Sequence, residues 1–113
     1  MRDCKINVLG TEYQILFKNI EDDKKLEDSN GYIDETIKTI VICNKSERDE
    51  IQDFDRFQRK VLRHEVIHAF HIESGLRESL YLNDAGFPEL IVDWFAIQSP
   101  KIYEVFAILG ILD

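Results

Sequence analysis

The clearest pattern of apolar and polar positions lies between residues 53 and 74. Apolar side chains recur there at i, i+4, i+7 and i+8, the spacing of one face of an α-helix. This stripe consists of Leu62, Val66, Ala69 and Phe70. A second apolar row upstream of it consists of Phe54, Phe57 and Val61. We therefore predict one long helix over roughly residues 53–74, packed on the core through these side chains.

Shorter apolar segments in the first 43 residues predict four strands. Residues 5–9 and 12–17 flank Gly10 and Thr11, a pattern typical of a β-hairpin. Residues 31–34 and 38–43 predict two further strands around a turn at Glu35 and Thr36. The second of these contains an unbroken apolar run at residues 40–42, which indicates a strand buried on both faces or shielded by a helix. The charged residues 19–30 are expected to form a solvated connection.

The C-terminal third predicts two helices separated by a proline. Gly86 and Pro88 signal a helix start, and residues 89–98 read as a helix that Pro100 ends. Ser99 and Pro100 then resemble the start of a last helix. Its apolar stripe is Ile102, Val105, Phe106 and Leu109. We expect residues 111–113 to cap the core, the alternative being that their carboxylates reach into a cleft.

Composition places these elements in one globular domain, residues 1–113. The chain has 44% hydrophobic residues and a formal net charge of −8. An acidic surface argues against nucleic-acid or anionic-membrane partners. The N-terminus lacks the apolar core of a signal peptide, and no segment is long enough to span a membrane. We therefore expect a cytoplasmic protein in which Cys4 and Cys43 are reduced, buried strand residues.

The predicted long helix contains the sequence His64-Glu65-Val66-Ile67-His68, an H-E-x-x-H motif typical of a metal site. Residues four apart lie about 40° apart around a helix, so both imidazoles can reach one metal ion. His64 and His68 are thus predicted zinc ligands, with Glu65 as the general base that takes a proton from a zinc-bound water. The alternative is an amphipathic helix that carries two histidines and a solvated glutamate.

A catalytic zinc site needs a third protein ligand. No histidine follows His71, and the glycine and histidine of the metzincin motif are absent. Glu73 lies about 180° around the helix from His64, so it points away. The acidic residues that remain are Glu78, Asp84, Glu89 and Asp93. Glu89 and Asp93 share a helix face, so one can bind the metal while the other accepts the second N–H of a ligating histidine. The alternative is that Glu89 only complements the helix dipole while Asp93 is solvated.

With its H-E-x-x-H motif followed by Glu89-x-x-x-Asp93, the chain resembles the gluzincin clan of zinc metallopeptidases. Its short length is similar to that of minigluzincins and phage-associated ImmA/IrrE-type peptidases. The helix that begins at Glu89, called the glutamate helix below, lacks the Glu-Ala-Asn-type string that is usual in ImmA peptidases. The resemblance implies one Zn²⁺ per chain, held by His64, His68 and Glu89, with Asp93 as the partner behind a ligand. It also implies a peptide or protein substrate.

Four further residues are candidates for contacting substrate or a developing oxyanion. His71 lies one helical turn beyond His68, where it can either contact substrate or form part of the cleft rim. Tyr81, in the connection before the glutamate helix, can donate a hydrogen bond to an oxyanion, as can Tyr32 and Tyr103. The sequence does not rank these donors.

Together these features predict an α+β, zincin-like domain. A small, largely antiparallel sheet packs on the active-site helix and is followed by a glutamate helix and a C-terminal helix. The predicted activity is hydrolysis of peptide bonds, with a sheet-edge strand at residues 38–43 pairing with an extended substrate. Two alternatives stay open: a latent zinc-binding fold that acts as an interaction module, and an acidic inhibitor or DNA mimic that binds no metal.

Overall fold

The order of elements follows the predicted α+β pattern. The computed structural model of the protein describes residues 1–44, 48–78 and 87–113, with the side chains of these residues except 87–89, 92 and 93. Four strands come first and two helices follow. They are β1 (Cys4–Val8), β2 (Thr11–Lys18), β3 (Gly31–Asp34), β4 (Thr39–Cys43), α1 (Phe54–Glu73) and α2 (Phe87–Leu109). No helix in these ranges has the length and apolar character needed to cross a membrane.

Strands β1 and β2 form the predicted hairpin, with its turn one residue earlier than the predicted Gly10 and Thr11. The turn consists of Leu9 and Gly10, with φ angles of 51° and 95°. Two successive positive φ angles are typical of a type I′ turn, whose twist matches that of the strands. The side-chain oxygen of Asn7 accepts a hydrogen bond from the Gly10 N–H at 2.8 Å, which stabilises the turn. The hairpin therefore has a fixed register, with Ile6 opposite Tyr13.

The sheet is mixed, with strand order β1-β2-β4-β3. Strand β2 pairs antiparallel with β1 but parallel with β4, and β3 pairs antiparallel with β4. The prediction of a largely antiparallel sheet therefore holds for two of the three strand pairs. The prediction that residues 38–43 form an edge strand is wrong, because β4 lies between β2 and β3. The edges of the sheet are β1 and β3.

Strand β4 is buried on both of its faces. Ile40 and Ile42 face α1 and belong to the main core. Val41 and Cys43 face the other side, where Leu26 covers them. Cys43 is thus buried as predicted, whereas Cys4 at the start of β1 is exposed and the prediction of its burial is wrong. Leu26 comes from a short 3-10 helix, Lys24–Glu27, within the charged connection. The unbroken apolar run of β4 thus reflects one helix on one face and a tethered loop on the other.

Helix α1 lies across the sheet with the predicted apolar stripe inward. Leu62, Val66 and Ala69 are fully buried. The helix begins after Asp53, whose carboxylate accepts a hydrogen bond from the Arg56 N–H at 3.1 Å, the usual role of an N-cap. It ends at Glu73, followed by Gly75 with a φ of 80°, which suits the left-handed position after a helix.

The C-terminal region is one helix rather than two. Helix α2 continues through Pro100, which was predicted to end a first helix. Proline removes one hydrogen bond, to the carbonyl four residues earlier. Pro100 and Ala96 are both exposed, so water can bond the freed carbonyl. The inward side chains Ile102 and Val105 remain buried in the core, and this packing outweighs the local cost.

Glu73, the last residue of α1, connects the helix to the sheet. Its carboxylate accepts hydrogen bonds from the Thr11 hydroxyl at 2.7 Å and from the Tyr13 hydroxyl at 2.6 Å. The Lys38 ammonium donates to it at 2.8 Å. Burial by itself raises the pKa of Glu73, but the hydrogen bonds from Lys38, Tyr13 and Thr11 outweigh it and lower the pKa below its ordinary value. Glu73 is therefore a structural residue of this fold.

We expect Glu73→Ala to lower the free energy of unfolding by about 2–4 kcal/mol, because the Tyr13 hydroxyl then has no acceptor. Chemical denaturation measures this, and Glu21→Ala, in the charged connection, is the control. Since folding lowers the pKa of Glu73, its contribution is full above the ordinary carboxyl pKa and lost as the pH falls through the lowered value. The difference between wild type and variant should therefore shrink in acid. An equal difference at all pH values would contradict this role.

Candidate metal centre

His64 and His68 project side by side from α1, on the side away from its buried stripe. Their Nε2 atoms are 3.1 Å apart and their ring centroids 4.7 Å apart. Together with a carboxylate oxygen of Glu65, these nitrogens lie within 4.8 Å of one another. Among the described parts of the chain, this is the group of metal-ligating side chains that could hold an ion. The spacing on the helix therefore produces the predicted convergence.

Glu65 lies beneath the two histidines and is buried, with 6% of its surface exposed. One of its oxygens is 4.0 Å from Nε2 of His64. Burial raises the pKa of Glu65, and the neighbouring His64 lowers it in part. A carboxyl group with a raised pKa accepts and returns protons more readily near neutral pH. A cation bound at the histidines would act in the opposite direction.

The surroundings of His68 and His71 favour the neutral forms of these two imidazoles. Burial lowers the pKa of His68, and the positive charges of His64 and Arg77 lower it further. Burial also lowers the pKa of His71, with smaller effects from His68 and His64. Neutral imidazole is the form that binds metal ions. The local charges thus favour ligation over protonation at His68.

His71 lies between α1 and α2 and outside the group of three. Its ring is 5.9 Å from that of His68 and 4.9 Å from that of Trp94, both in edge-on arrangements. Trp94 also donates a hydrogen bond from its indole N–H to the Ser74 hydroxyl at 2.7 Å. These contacts hold α2 against the C-terminal end of α1. Sequence reasoning missed Trp94, although the only tryptophan of the chain, next to Asp93, was a signal for it.

The structure describes the side chain of only one candidate for the third ligand, Glu78. The backbone of Glu89 and Asp93 belongs to α2, while their side chains lie outside the described atoms. Asp84 and Tyr81 also lie outside the described residues. Glu78 has a largely exposed side chain that lies 3.7 Å from the Arg77 guanidinium. Glu78 is not part of the histidine group.

The two other tyrosines proposed as oxyanion donors differ in position. Tyr32 lies on the sheet face opposite α1, packed against the small cluster around Leu26 and Val41. Burial raises the pKa of Tyr32 to about 12, together with the hydrogen bond that its hydroxyl donates to Asp23. Tyr32, one of the possible donors, therefore lies on the wrong face of the sheet to reach a group bound at the histidines. Tyr103 is exposed on α2, in an apolar groove that Ile67 also lines.

A groove of about 240 Å³ runs between the edge strand β3 and α1 and ends at the metal-ligating group. Its lining includes Gly31 at the strand, Lys60 on the helix, and His64 and Glu65 at the end. A Cβ atom at Gly31 would come within 3.0 Å of a methyl group of Val61. Glycine therefore lets β3 approach α1 closely beside the histidines. Sequence reasoning missed this arrangement, and the glycine that opens β3 was its only signal.

The C-terminal tail docks on α1 and its apolar residue is part of the core. Ile111 is fully buried, and its carbonyl accepts a hydrogen bond from Arg63 at 2.7 Å. The Asp113 side chain lies 2.9 Å from the Arg59 guanidinium. These contacts favour a tail that caps the core over a tail that reaches the histidines.

We expect deletion of residues 111–113 to lower the free energy of unfolding by about 2–5 kcal/mol, since it removes a buried isoleucine. The deletion should not raise peptide hydrolysis. Thermal denaturation and a peptidase assay measure the two effects. Leu112→Ala, which truncates an exposed side chain of the same tail, is the control. A gain of hydrolysis by a folded deletion variant would instead establish that the tail inhibits the site.

Comparisons of the chain with models of protein families, with curated proteins and with solved structures find no match.

Proposed function

We propose that this chain is a zinc-dependent peptidase of the gluzincin type. In this proposal His64, His68 and Glu89 hold one Zn²⁺, Glu65 is the general base, and Asp93 orients a ligand. The observation that carries the proposal is the pair of Nε2 atoms 3.1 Å apart beside the buried carboxyl group of Glu65. Two imidazoles and a carboxyl group are the donor set and the base that such chemistry requires.

The two histidines fit a tetrahedral zinc ion. With Zn–N distances of 2.0–2.1 Å, two nitrogens of a tetrahedral site are about 3.3–3.4 Å apart. The observed Nε2 separation of 3.1 Å is within a few tenths of an ångström of that value. Zinc bound there supplies a Lewis acid that lowers the pKa of a water molecule and polarises a carbonyl group. The fit supports zinc rather than calcium or magnesium, which prefer oxygen ligands.

Glu65 has the position of a proton carrier. Its buried carboxyl group lies beside the histidines, at the inner end of the groove. In the proposed reaction the carboxylate of Glu65 accepts a proton from the attacking water. The same group then donates this proton to the nitrogen of the departing amine, so that the C–N bond breaks with a neutral amine rather than an amide anion as the leaving group. Because Glu65 is fixed by burial, it needs little reorganisation between the two steps.

The edge strand β3 is the element that we propose to align a substrate. Cys43 donates its N–H to the Asn30 carbonyl at 2.9 Å, so these two residues form a hydrogen-bonded pair. In an antiparallel pair such pairs alternate with pairs whose backbone groups point outward. The N–H and C=O groups of Gly31 and Ile33 therefore point away from β4, at the free edge of the sheet. An extended peptide that pairs with this edge lies along the groove that ends at His64 and Glu65.

The test is metal analysis beside an assay of hydrolysis. The full chain is purified without chelators, its zinc content is measured by mass spectrometry, and a peptide mixture is used as substrate. We expect one zinc ion per chain, no zinc in His68→Ala, and cleavage by the wild type only. Zinc without cleavage would favour the interaction module, and a wild-type protein that binds no zinc would contradict the proposal. His71→Ala, on the same helix but outside the group of three, is the control and should retain zinc.

A further inference from the structure

On one side of the molecule, the free edge of a strand lies beside an exposed flank of a helix. Strand β1 pairs only with β2 in the part of the chain that the structure describes. Beside it, α2 exposes a row of four residues. A groove of about 690 Å³ lies between strand and helix. We call this side the β1–α2 face and define it by Lys5 and Asn7 of β1 and by Ile97, Lys101, Glu104 and Ile108 of α2.

The backbone of β1 is ready to pair with another strand. Since the hairpin turn has two residues, Val8 and Thr11 next to it form a hydrogen-bonded pair. Alternation along the ladder then directs the N–H and C=O groups of Lys5 and Asn7 outward, into the groove. No described residue accepts or donates at these backbone groups. An unpaired edge of this kind is a template for strand addition.

The exposed flank of α2 has an isoleucine at each end and two opposite charges between them. Ile97 and Ile108 are 65% and 67% exposed. With Lys101 and Glu104 they have i, i+4, i+7, i+11 spacing, so all four lie on one flank of α2. The flank therefore presents its apolar and charged side chains in a fixed order along the helix.

The order of residues on this flank is self-complementary. A two-fold axis through the point between Ile102 and Tyr103 places Ile97 opposite Ile108 of a second copy. The same axis places Lys101 opposite Glu104 of that copy. A two-fold interface requires this relation, in which one residue contacts a second and the second contacts the first. A single two-fold rotation therefore produces two apolar contacts and two ion pairs.

Pairing of strand β1 with β1 of a second copy is compatible with the same two-fold axis. An antiparallel pairing of β1 with β1 of a second copy, centred on Ile6, places Lys5 opposite Asn7. These are the residues whose backbone groups point outward, so both pairs can exchange hydrogen bonds. Ile6 lines the groove together with Lys101 and Glu104, so the two centres lie at the same place on the face. Strand β1 and the helix segment from Ile97 to Ile108 are also similar in length, about 14 Å and about 17 Å.

Charge favours this face over the rest of the surface. The chain has 22 acidic and 14 basic residues, so two copies repel each other over most of their surface. The groove is lined by two lysines, Lys5 and Lys101, and by one acidic residue, Glu104. A second copy therefore meets less repulsion here than elsewhere.

We propose that the β1–α2 face binds a second copy of this chain. The sheet then continues through antiparallel β1 strands, and the α2 helices pack antiparallel beside each other. The proposed contacts are one pair of short strands and one flank of a helix, so we expect a dimer that dissociates at about micromolar concentration. The proposal does not depend on the metal centre, because none of the residues of the face belongs to it.

The test measures the mass of the full chain against concentration by analytical ultracentrifugation. Lys101→Glu and Glu104→Lys each place like charges opposite each other twice, so each should weaken the dimer at least about tenfold. The double variant Lys101→Glu/Glu104→Lys restores opposite charges and should recover the wild-type dissociation constant. Lys24→Glu/Glu27→Lys has the same spacing in an exposed segment far from the face in sequence, and it is the matched control.

A strand variant tests the second half of the interface. Lys5→Pro removes an outward N–H that makes no bond to β2, so the monomer should keep its fold while the dimer is lost. Circular dichroism checks the fold. A wild-type chain that stays monomeric up to about millimolar concentration would overturn the proposal and leave the groove to another partner. A dimer that tolerates both single charge reversals, or that the double variant does not restore, would overturn it as well.

Discussion

The Glu65→Gln variant is expected to keep the fold and the zinc of the wild type and to lose peptide hydrolysis by roughly 10²–10⁴-fold, the range usual for general acid–base groups. Glutamine has the shape of glutamate, and the side chain is buried, so the packing beneath the histidines should persist. The amide cannot accept the proton of the attacking water. The loss should appear in kcat/KM, measured on variants with equal zinc content.

Glu73→Gln is the matched control for this experiment. Glu73 belongs to the same helix and is also partly buried, but it faces Tyr13 and Lys38 on the other side. This substitution should lower stability and leave kcat/KM of the folded protein unchanged. If Glu65→Gln retained wild-type hydrolysis at full zinc occupancy, Glu65 would not be the base and the mechanism would need another proton acceptor.

The fold was most predictable from the sequence where local signals and burial agree. The spacing of apolar side chains predicted α1 to within one residue of its ends, because the stripe and the Asp53 cap indicate the same helix. The hairpin was equally clear, since Gly10 adopts the positive φ that its turn requires. In both cases the physics acts within a few residues along the chain.

Strand order and helix continuity were predicted less well because they depend on distant residues. The apolar run of β4 indicated burial on both faces, but nothing near it showed that β2 pairs with it in parallel. Pro100 predicts a helix end because it removes a backbone hydrogen bond of the helix. The packing of Ile102 and Val105 that outweighs this loss is a tertiary contact. Prediction from local pattern fails where tertiary contacts decide.

The candidate site shows the same division. His64 and His68 were predictable because they belong to one helix, and the geometry of a helix brings their rings together. The contact of His71 with Trp94 joins two helices, so no spacing along the chain could indicate it. The same holds for the approach of Gly31 to α1. The third ligand is a prediction of this second kind, since Glu89 belongs to α2.

Substitutions of three acidic residues should therefore differ in their effect on zinc affinity. Glu89→Ala removes a proposed ligand, so its loss should exceed the roughly 10–100-fold that follows removal of a group behind a ligand. Asp93→Ala removes such a group and should fall within that range. Glu78→Ala should leave zinc affinity unchanged, because Glu78 is exposed and lies outside the histidine group. Competition with a chelating dye measures all three dissociation constants.

The three variants also show which of Glu89 and Asp93 is the zinc ligand and which is the partner behind a ligand. If Asp93→Ala lost more zinc than Glu89→Ala, the two residues would have exchanged the roles proposed for them, while the gluzincin pattern of two histidines and an acid on the next helix would stand. If both variants kept wild-type affinity, the third ligand would lie elsewhere and the resemblance to gluzincins would be contradicted. Trp94 allows a spectroscopic check, because it contacts His71 and hydrogen-bonds to Ser74. Its fluorescence should respond to zinc in the wild type and in Glu78→Ala, and more weakly in Glu89→Ala, because zinc that binds α1 and α2 together fixes the position of Trp94 against α1.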